Sequence, residues 1–192
     1  MQNMSKEMKK EYEKLIYHIG NKFDDLSEKD REKMTEFCED YKGFLTKAKT
    51  EREFTQAAVK LLNEAGYAPF EKGRDYKAGD KVYYVNRKKS LIMTTFGQRE
   101  IGAGVRLNVA HIDSPRLDLK PNPMYEKAEM AFFKTHYYGG IRKYQWAAIP
   151  LAMHGVVVKK DGEITDIRIG EEDGDPVFCV TDLLPHLAAD QN

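Results

Sequence analysis

The residues best suited to chemistry lie in Gly104-Val-Arg-Leu-Asn-Val-Ala-His111-Ile-Asp113-Ser-Pro-Arg-Leu-Asp-Leu-Lys-Pro121, where an imidazole and a carboxylate stand two positions apart. A neutral imidazole is a good zinc ligand, and a metal-bound histidine usually gives its other ring N–H to a carboxylate or carbonyl. Asp113 is the natural candidate for that acceptor, although spacing alone does not show that it reaches the ring. The same tripeptide also suits a hydrogen-bonded histidine at a strand end with no ligand.

Strands and helices must position this pair. Val105 to Ile112 is rich in β-branched and apolar residues, which predicts a buried strand. Side chains alternate along a strand, so His111 and Asp113 would leave on the same face. Pro115 would then end the strand by withholding a backbone donor. That puts the pair at the carboxyl end of a core strand, where open α/β sheets hold their active sites.

Upstream the pattern is helical. Residues 5–19 carry Tyr12, Leu15, Ile16 and Ile19 at helical spacing, with Gly20-Asn21 as the stop. Ser27-Glu-Lys-Asp30 is a loose capping box, and Met34, Phe37, Cys38, Tyr41 and Phe44/Leu45 follow as an amphipathic stripe to about Ala48. Thr50-Glu-Arg-Glu53 is a full capping box ahead of Phe54, Ala57, Ala58, Leu61 and Leu62, and Gly66 closes that helix. From Asp80 the period changes to two, predicting strands at Lys81–Asn86 and Ser90–Phe96 around a basic turn, Arg87-Lys-Lys89. The glycines between Gly97 and Gly104 complete no phosphate-binding pattern and read as a loop.

Beyond Pro121 no helix is suggested. Asn122-Pro-Met-Tyr125 reads as a turn-rich connector and a domain boundary. Met130–Tyr138, Ile149–Val158, Ile164–Ile169 and Val177–Val180 read as strands, with Asp161-Gly162 a favoured two-residue hairpin turn. Glu171-Glu-Asp-Gly-Asp175 lacks the spacing of a calcium loop and reads as a solvated acidic turn. Helices, then a sheet, then the histidine pair open an α/β domain over 1–121, and 122–192 form part of a small all-β module.

Lys+Arg and Asp+Glu are both 31, so the balance of charge gives no reason to expect a nucleic-acid partner. With 41% hydrophobic residues the chain has the composition of a folded protein. No apolar run approaches the roughly 20 residues of a membrane helix, and the N-terminus has no signal-peptide pattern. Cys38 and Cys179 are expected to be free thiols in a reducing, cytoplasmic setting.

His111-Ile-Asp-Ser-Pro-Arg-Leu-Asp-Leu-Lys-Pro121 resembles the His-x-Asp-Ser-Pro segment of the aminopeptidase I and aspartyl aminopeptidase family of dinuclear-zinc exopeptidases. Tyr138-Gly-Gly-Ile141 with Trp146 following, and Leu183-Leu-Pro-His186-Leu187, resemble two further segments of that family in the same order. The resemblance implies the N-terminal part of a zinc-exopeptidase-like α/β catalytic domain followed by part of an inserted all-β lid and dimerisation domain. It implies a metal-activated water that attacks the first peptide carbonyl. His111 would be a metal ligand and Asp113 its orienting acid in the catalytic site. His186 would be presented to a neighbouring subunit's site to hold substrate or the tetrahedral intermediate, or would itself bind metal; both roles stand open.

The implied cofactors are two divalent ions per complete site, zinc first, with cobalt or manganese as alternatives. The implied partners are peptide substrates and further copies of the chain, in an oligomer built from dimers through the β domain. No nucleic acid and no membrane is expected. A catalytic zinc takes about three protein ligands, and only His111 stands out here. The chain is therefore expected to be an N-terminal portion whose remaining ligands come from beyond Asn192. The aspartyl branch carries an acidic and basic cluster after its Tyr-Gly-Gly. This chain has Ile-Arg-Lys-Tyr-Gln-Trp146 there, so a neutral N-terminal residue is at least as well accommodated. The rival readings are a non-catalytic dimerisation or assembly module, or a peptide-binding module, with a purely structural His111–Asp113 pair. His18, His136 and His154 read as packed or surface residues.

Overall fold

The structure, a computed structural model, describes residues 5–16, 20–147, 149–182 and His186. Two compact units divide the chain, Met1–Gly43 and Phe44–Asn192. The first holds α1 (Lys6–Leu15), capped by the Ser5 hydroxyl on the Met8 amide, and most of α2 (Glu28–Lys47). Ser27 caps α2 as its motif predicts, accepting from the Asp30 amide and donating to the Asp30 carboxylate at 2.7 Å.

In the second unit α3 (Glu51–Glu64) begins at a complete capping box between Thr50 and Glu53 and ends at Gly66, whose φ of +81° suits a residue without a Cβ. It packs against a three-stranded sheet of β1 (Ala68–Pro69), β2 (Lys81–Asn86) and β3 (Ser90–Thr95), in which β1 is parallel and β3 antiparallel to β2. Ala48, Leu62 and Val82, with Thr55, are the buried residues among those described. Two antiparallel hairpins follow: β4 (Arg116–Lys127) with β5 (Met130–Tyr138), and β6 (Met153–Val158) with β7 (Ile164–Ile169). Burial alternates residue by residue along β7, as its period-two sequence predicts.

Several expectations need correction. Val105 to Ile112 is not a strand: no described segment pairs with its backbone, and Val105, Leu107 and Val109 are 72%, 79% and 85% exposed. A strand exists only within a ladder, and the described residues supply this apolar run with no neighbour. Pro115 consequently precedes a strand, β4, rather than ending one. It sits where no ladder donor is needed.

Asn122 to Tyr125 is no free connector but lies inside β4, where the pairing shifts between Leu119 and Met124. The turn is instead Ala128-Glu129, both at positive φ (53° and 59°), the primed geometry that matches strand twist. A short helix, α4 (Lys143–Trp146), stands where none was suggested. The Asp161-Gly162 turn forms with one residue more than expected, since Lys159 and Glu163 close it and Gly162 takes φ +89°. Of Val177–Val180 only Phe178 pairs, in a bridge to Leu151. His18 and most of the Leu183–Leu187 segment lie outside the described residues.

Candidate functional site

Asp113 reaches the ring. His111 Nδ1 is 2.9 Å from both the Asp113 main-chain oxygen and its carboxylate Oδ1. Both are acceptors, so Nδ1 carries a proton. The His111 side chain is 78% exposed, and no described residue bonds Nε2. Asp113 is half-buried, and its other carboxylate oxygen, Oδ2, accepts from the Tyr138 hydroxyl at 2.6 Å. That hydrogen bond holds the Asp113 carboxyl below the usual carboxylate range, helped by the charges of His111 and Arg116 and opposed by partial burial. The same bond to an anion pushes the Tyr138 phenol up.

Pairing of β4 with β5 sets Arg116 directly opposite Tyr138. The Arg116 guanidinium lies over the Tyr138 ring, 3.9 Å from its centroid. It donates to Asp118 Oδ1 at 2.8 Å and to Glu51 Oε1, in the first turn of α3, at 3.0 Å. Burial works against this cation, but the Asp118 hydrogen bond and the Glu51 charge outweigh it and keep it protonated.

A second ionic cluster links α3 to the β6–β7 hairpin. His154 on β6 sets Nδ1 2.7 Å from Glu53 Oε1 and Nε2 3.0 Å from Glu171 Oε1, with its side chain only 9% exposed. Lys49 also binds Glu171, and Arg168 approaches it at 3.7 Å. The Lys49 and His154 hydrogen bonds lower the Glu171 carboxyl to about 2. Burial would raise Glu53, yet His154 and Thr50 bring it below its ordinary value. Asp175 accepts from the amides of Gly170, Glu171 and Glu172 and so fixes the turn that presents Glu171.

The sequence-predicted pair, His111 and Asp113, is thus in contact. His186 is exposed and shares no bond with that pair. His136 stacks on its neighbour Tyr137. The residues that sequence reasoning missed are Tyr138, whose motif was noted but given no role, and Arg116, Glu51, Glu53, His154 and Glu171. Register would have found the first two: recognising the Ala128-Glu129 turn and counting outward pairs Arg116 with Tyr138. No local signal marks the His154 cluster, because its members come from separate stretches of chain.

The donor set fits a metal in part. An imidazole with Nδ1 tied to a carboxylate and Nε2 facing out is the arrangement of a metalloenzyme ligand. Among the described residues no group of three or more His, Cys, Asp or Glu side chains could hold an ion. His111 therefore fits as one ligand of a larger set.

Comparison with known proteins agrees with that class. Residues 44–192 match the family described as aminopeptidase I zinc metalloprotease (M18). A protein named "Probable M18 family aminopeptidase 1" from Clostridium acetobutylicum is 46% identical over 181 residues, covering 92% of this chain. The crystal structure of an M18 aminopeptidase from Thermotoga maritima superposes with a TM-score of 0.83 at 42% identity, covering 92% of this chain and 38% of that one. Aminopeptidase I from Borrelia burgdorferi B31 gives 0.82 at 42% identity, covering 86% and 41%. The chain belongs to the M18 zinc metalloprotease family. It spans 39% of the length of the Clostridium relative.

Proposed function

We propose that this chain is part of a zinc aminopeptidase that removes residues from the N-termini of peptides. The observation that carries the reading is His111 with Nδ1 anchored on Asp113 and Nε2 outward, in a chain of a zinc metalloprotease family. His111 would hold the metal through Nε2, and Asp113 would orient the ring by holding the Nδ1 proton. Zinc bound there supplies a water of pKa about 7 and a Lewis acid for the substrate carbonyl. The other ligands come from outside the described residues. His186 is assigned to the substrate side, with metal ligation as the other role open to its ring.

Residues 1–121 are read as belonging to the catalytic domain and 122–192 to a β lid that carries dimer contacts. A homo-oligomer, two metal ions per site and a cytoplasmic location belong to the same reading; no described helix is long and apolar enough to cross a membrane. A neutral N-terminal residue is accommodated at least as well as an acidic one, since the stretch after Tyr138-Gly-Gly lacks the acidic and basic cluster of the aspartyl branch.

The test is His111→Ala in the intact protein, with zinc content and hydrolysis of leucyl and aspartyl p-nitroanilides measured in parallel. The variant should lose zinc and both activities, and the wild type should cleave the leucyl substrate at least as well as the aspartyl one. Wild-type zinc content in His111→Ala would sink the assignment and favour a structural pair in a non-catalytic module.

A further inference from the structure

Tyr138 lies last in β5, and Gly139 follows with φ +79°, its α-carbon side against Pro115. The Tyr-Gly-Gly segment is thereby seated on the His-x-Asp-Ser-Pro segment, and the Tyr138 hydroxyl meets the Asp113 carboxylate. At 2.6 Å this O–H···O⁻ bond is in the short, charge-assisted range. It occupies Oδ2, which leaves Oδ1 facing His111 Nδ1 at 2.9 Å.

An aspartate's terminal torsion is broad and roughly two-fold, so nothing in Asp113 itself fixes which way the carboxylate plane turns. The hydroxyl supplies that constraint. The ring that carries it is in turn gripped from its face by Arg116, which Asp118 and Glu51 hold in place. The result is a continuous chain from the first turn of α3 to the imidazole: Glu51, Arg116, Tyr138, Asp113, His111.

We propose that Tyr138 is a positioning residue for the metal site, acting through Asp113 to fix the direction of the His111 ring. The proposal rests on the reading of His111 as a metal ligand. Packing does not account for the hydroxyl. Tyr138 is 39% exposed, and a phenylalanine would keep the ring under Arg116 while losing only the bond to Asp113.

The experiment uses the intact protein loaded with zinc or cobalt(II). Apparent zinc affinity is measured by chelator competition, the cobalt absorption bands report the ligand field, and thermal midpoints are recorded alongside. Loss of a group that orients a metal-bound histidine costs roughly 10–100-fold in affinity or activity, and Tyr138 is one step further removed. Tyr138→Phe should therefore weaken zinc by about 3–10-fold, shift the cobalt bands and lower kcat more than it raises KM, while the metal-free protein stays folded at the assay temperature. Arg116→Lys keeps the charge but loses the planar fork, and should give a smaller change in the same direction. Tyr125→Phe, in a tyrosine stacked on Phe132, should change none of these readouts. If His111→Ala loses zinc but Tyr138→Phe binds it at wild-type strength with unshifted cobalt bands, this inference alone is overturned. Zinc retained by His111→Ala overturns both this inference and the reading beneath it.

Discussion

Replacing His154 with alanine tests how the β6–β7 hairpin is fastened to α3. Both ring nitrogens lie within hydrogen-bond reach of carboxylate oxygens, Glu53 at 2.7 Å and Glu171 at 3.0 Å. Exposed ion pairs contribute about 0–1 kcal/mol, whereas breaking a buried one costs about 3–5 kcal/mol. Here His154 is 9% exposed, Glu171 15% and Glu53 26%, which puts the cluster nearer the buried limit. The cost falls short of that limit because neither carboxylate is orphaned: Thr50 still donates to Glu53, and Lys49 still holds Glu171.

A loss of about 2 kcal/mol follows for His154→Ala, and about half that for His154→Gln, whose amide reaches one carboxylate at most. Urea denaturation at pH 7 followed by far-ultraviolet circular dichroism measures both. A double-mutant cycle with Glu171→Gln should return a coupling of about 1 kcal/mol. A loss below about 0.5 kcal/mol in His154→Ala, with no coupling in the cycle, would refute the reasoning and make the cluster a screened surface feature.

Acid should unfasten the same cluster. Glu171, lowered to about 2 by Lys49 and His154, contributes stability that is complete above its ordinary value of 4.5 and is lost as pH falls from there toward 2. Glu53 acts in the same direction, so urea midpoints taken across that window should fall in the wild type and flatten in Glu171→Gln. Thr50→Ala removes the capping hydroxyl of α3 and should cost about 1 kcal/mol in the same assay. At Gly170 an added Cβ would come 3.1 Å from the Ala152 Cα at φ +99°, so Gly170→Ala should destabilise by at least about 1–2 kcal/mol and reduce the His154–Glu171 coupling. Asp113→Asn should weaken zinc binding in the intact protein by about 10–100-fold; unchanged affinity would remove Asp113 from the site.

What could be read from the chain alone follows from the range of the forces involved. The Thr50–Glu53 box, the Gly66 stop and the β2–β3 hairpin are set by residues within a few positions of each other, and each forms where its motif predicts. The β4–β5 hairpin was legible in only one arm. Asn122-Pro123 looks like punctuation, while the real turn, Ala128-Glu129, lacks the glycine or asparagine that usually advertises two left-handed residues. The Glu171 region misled for another reason. Its run of acids suits a solvated turn, and only the arrival of Lys49, His154 and Arg168 from elsewhere converts one of those acids into an internal tie.

The His-x-Asp site shows both sides of this limit at once. That His111 and Asp113 meet depends on two residues and survives even though the strand invoked to explain it does not form: the unpaired chain makes the same contact through the Asp113 main-chain oxygen as well as the carboxylate. Why the contact holds one geometry depends on Tyr138, 25 residues on, and on Glu51, 65 residues before Arg116. The pair is therefore a local motif whose precision is non-local. A substitution in the first turn of α3 can reach the imidazole without touching it: Glu51→Gln should loosen Arg116, and with it the Tyr138 ring, while leaving the Thr50–Glu53 cap intact. Zinc affinity and the α3 cap should then separate in that variant, the first falling while amide-exchange protection at the Thr50–Glu53 cap holds. If the two fall together, the chain from Glu51 to His111 is only a consequence of helix packing.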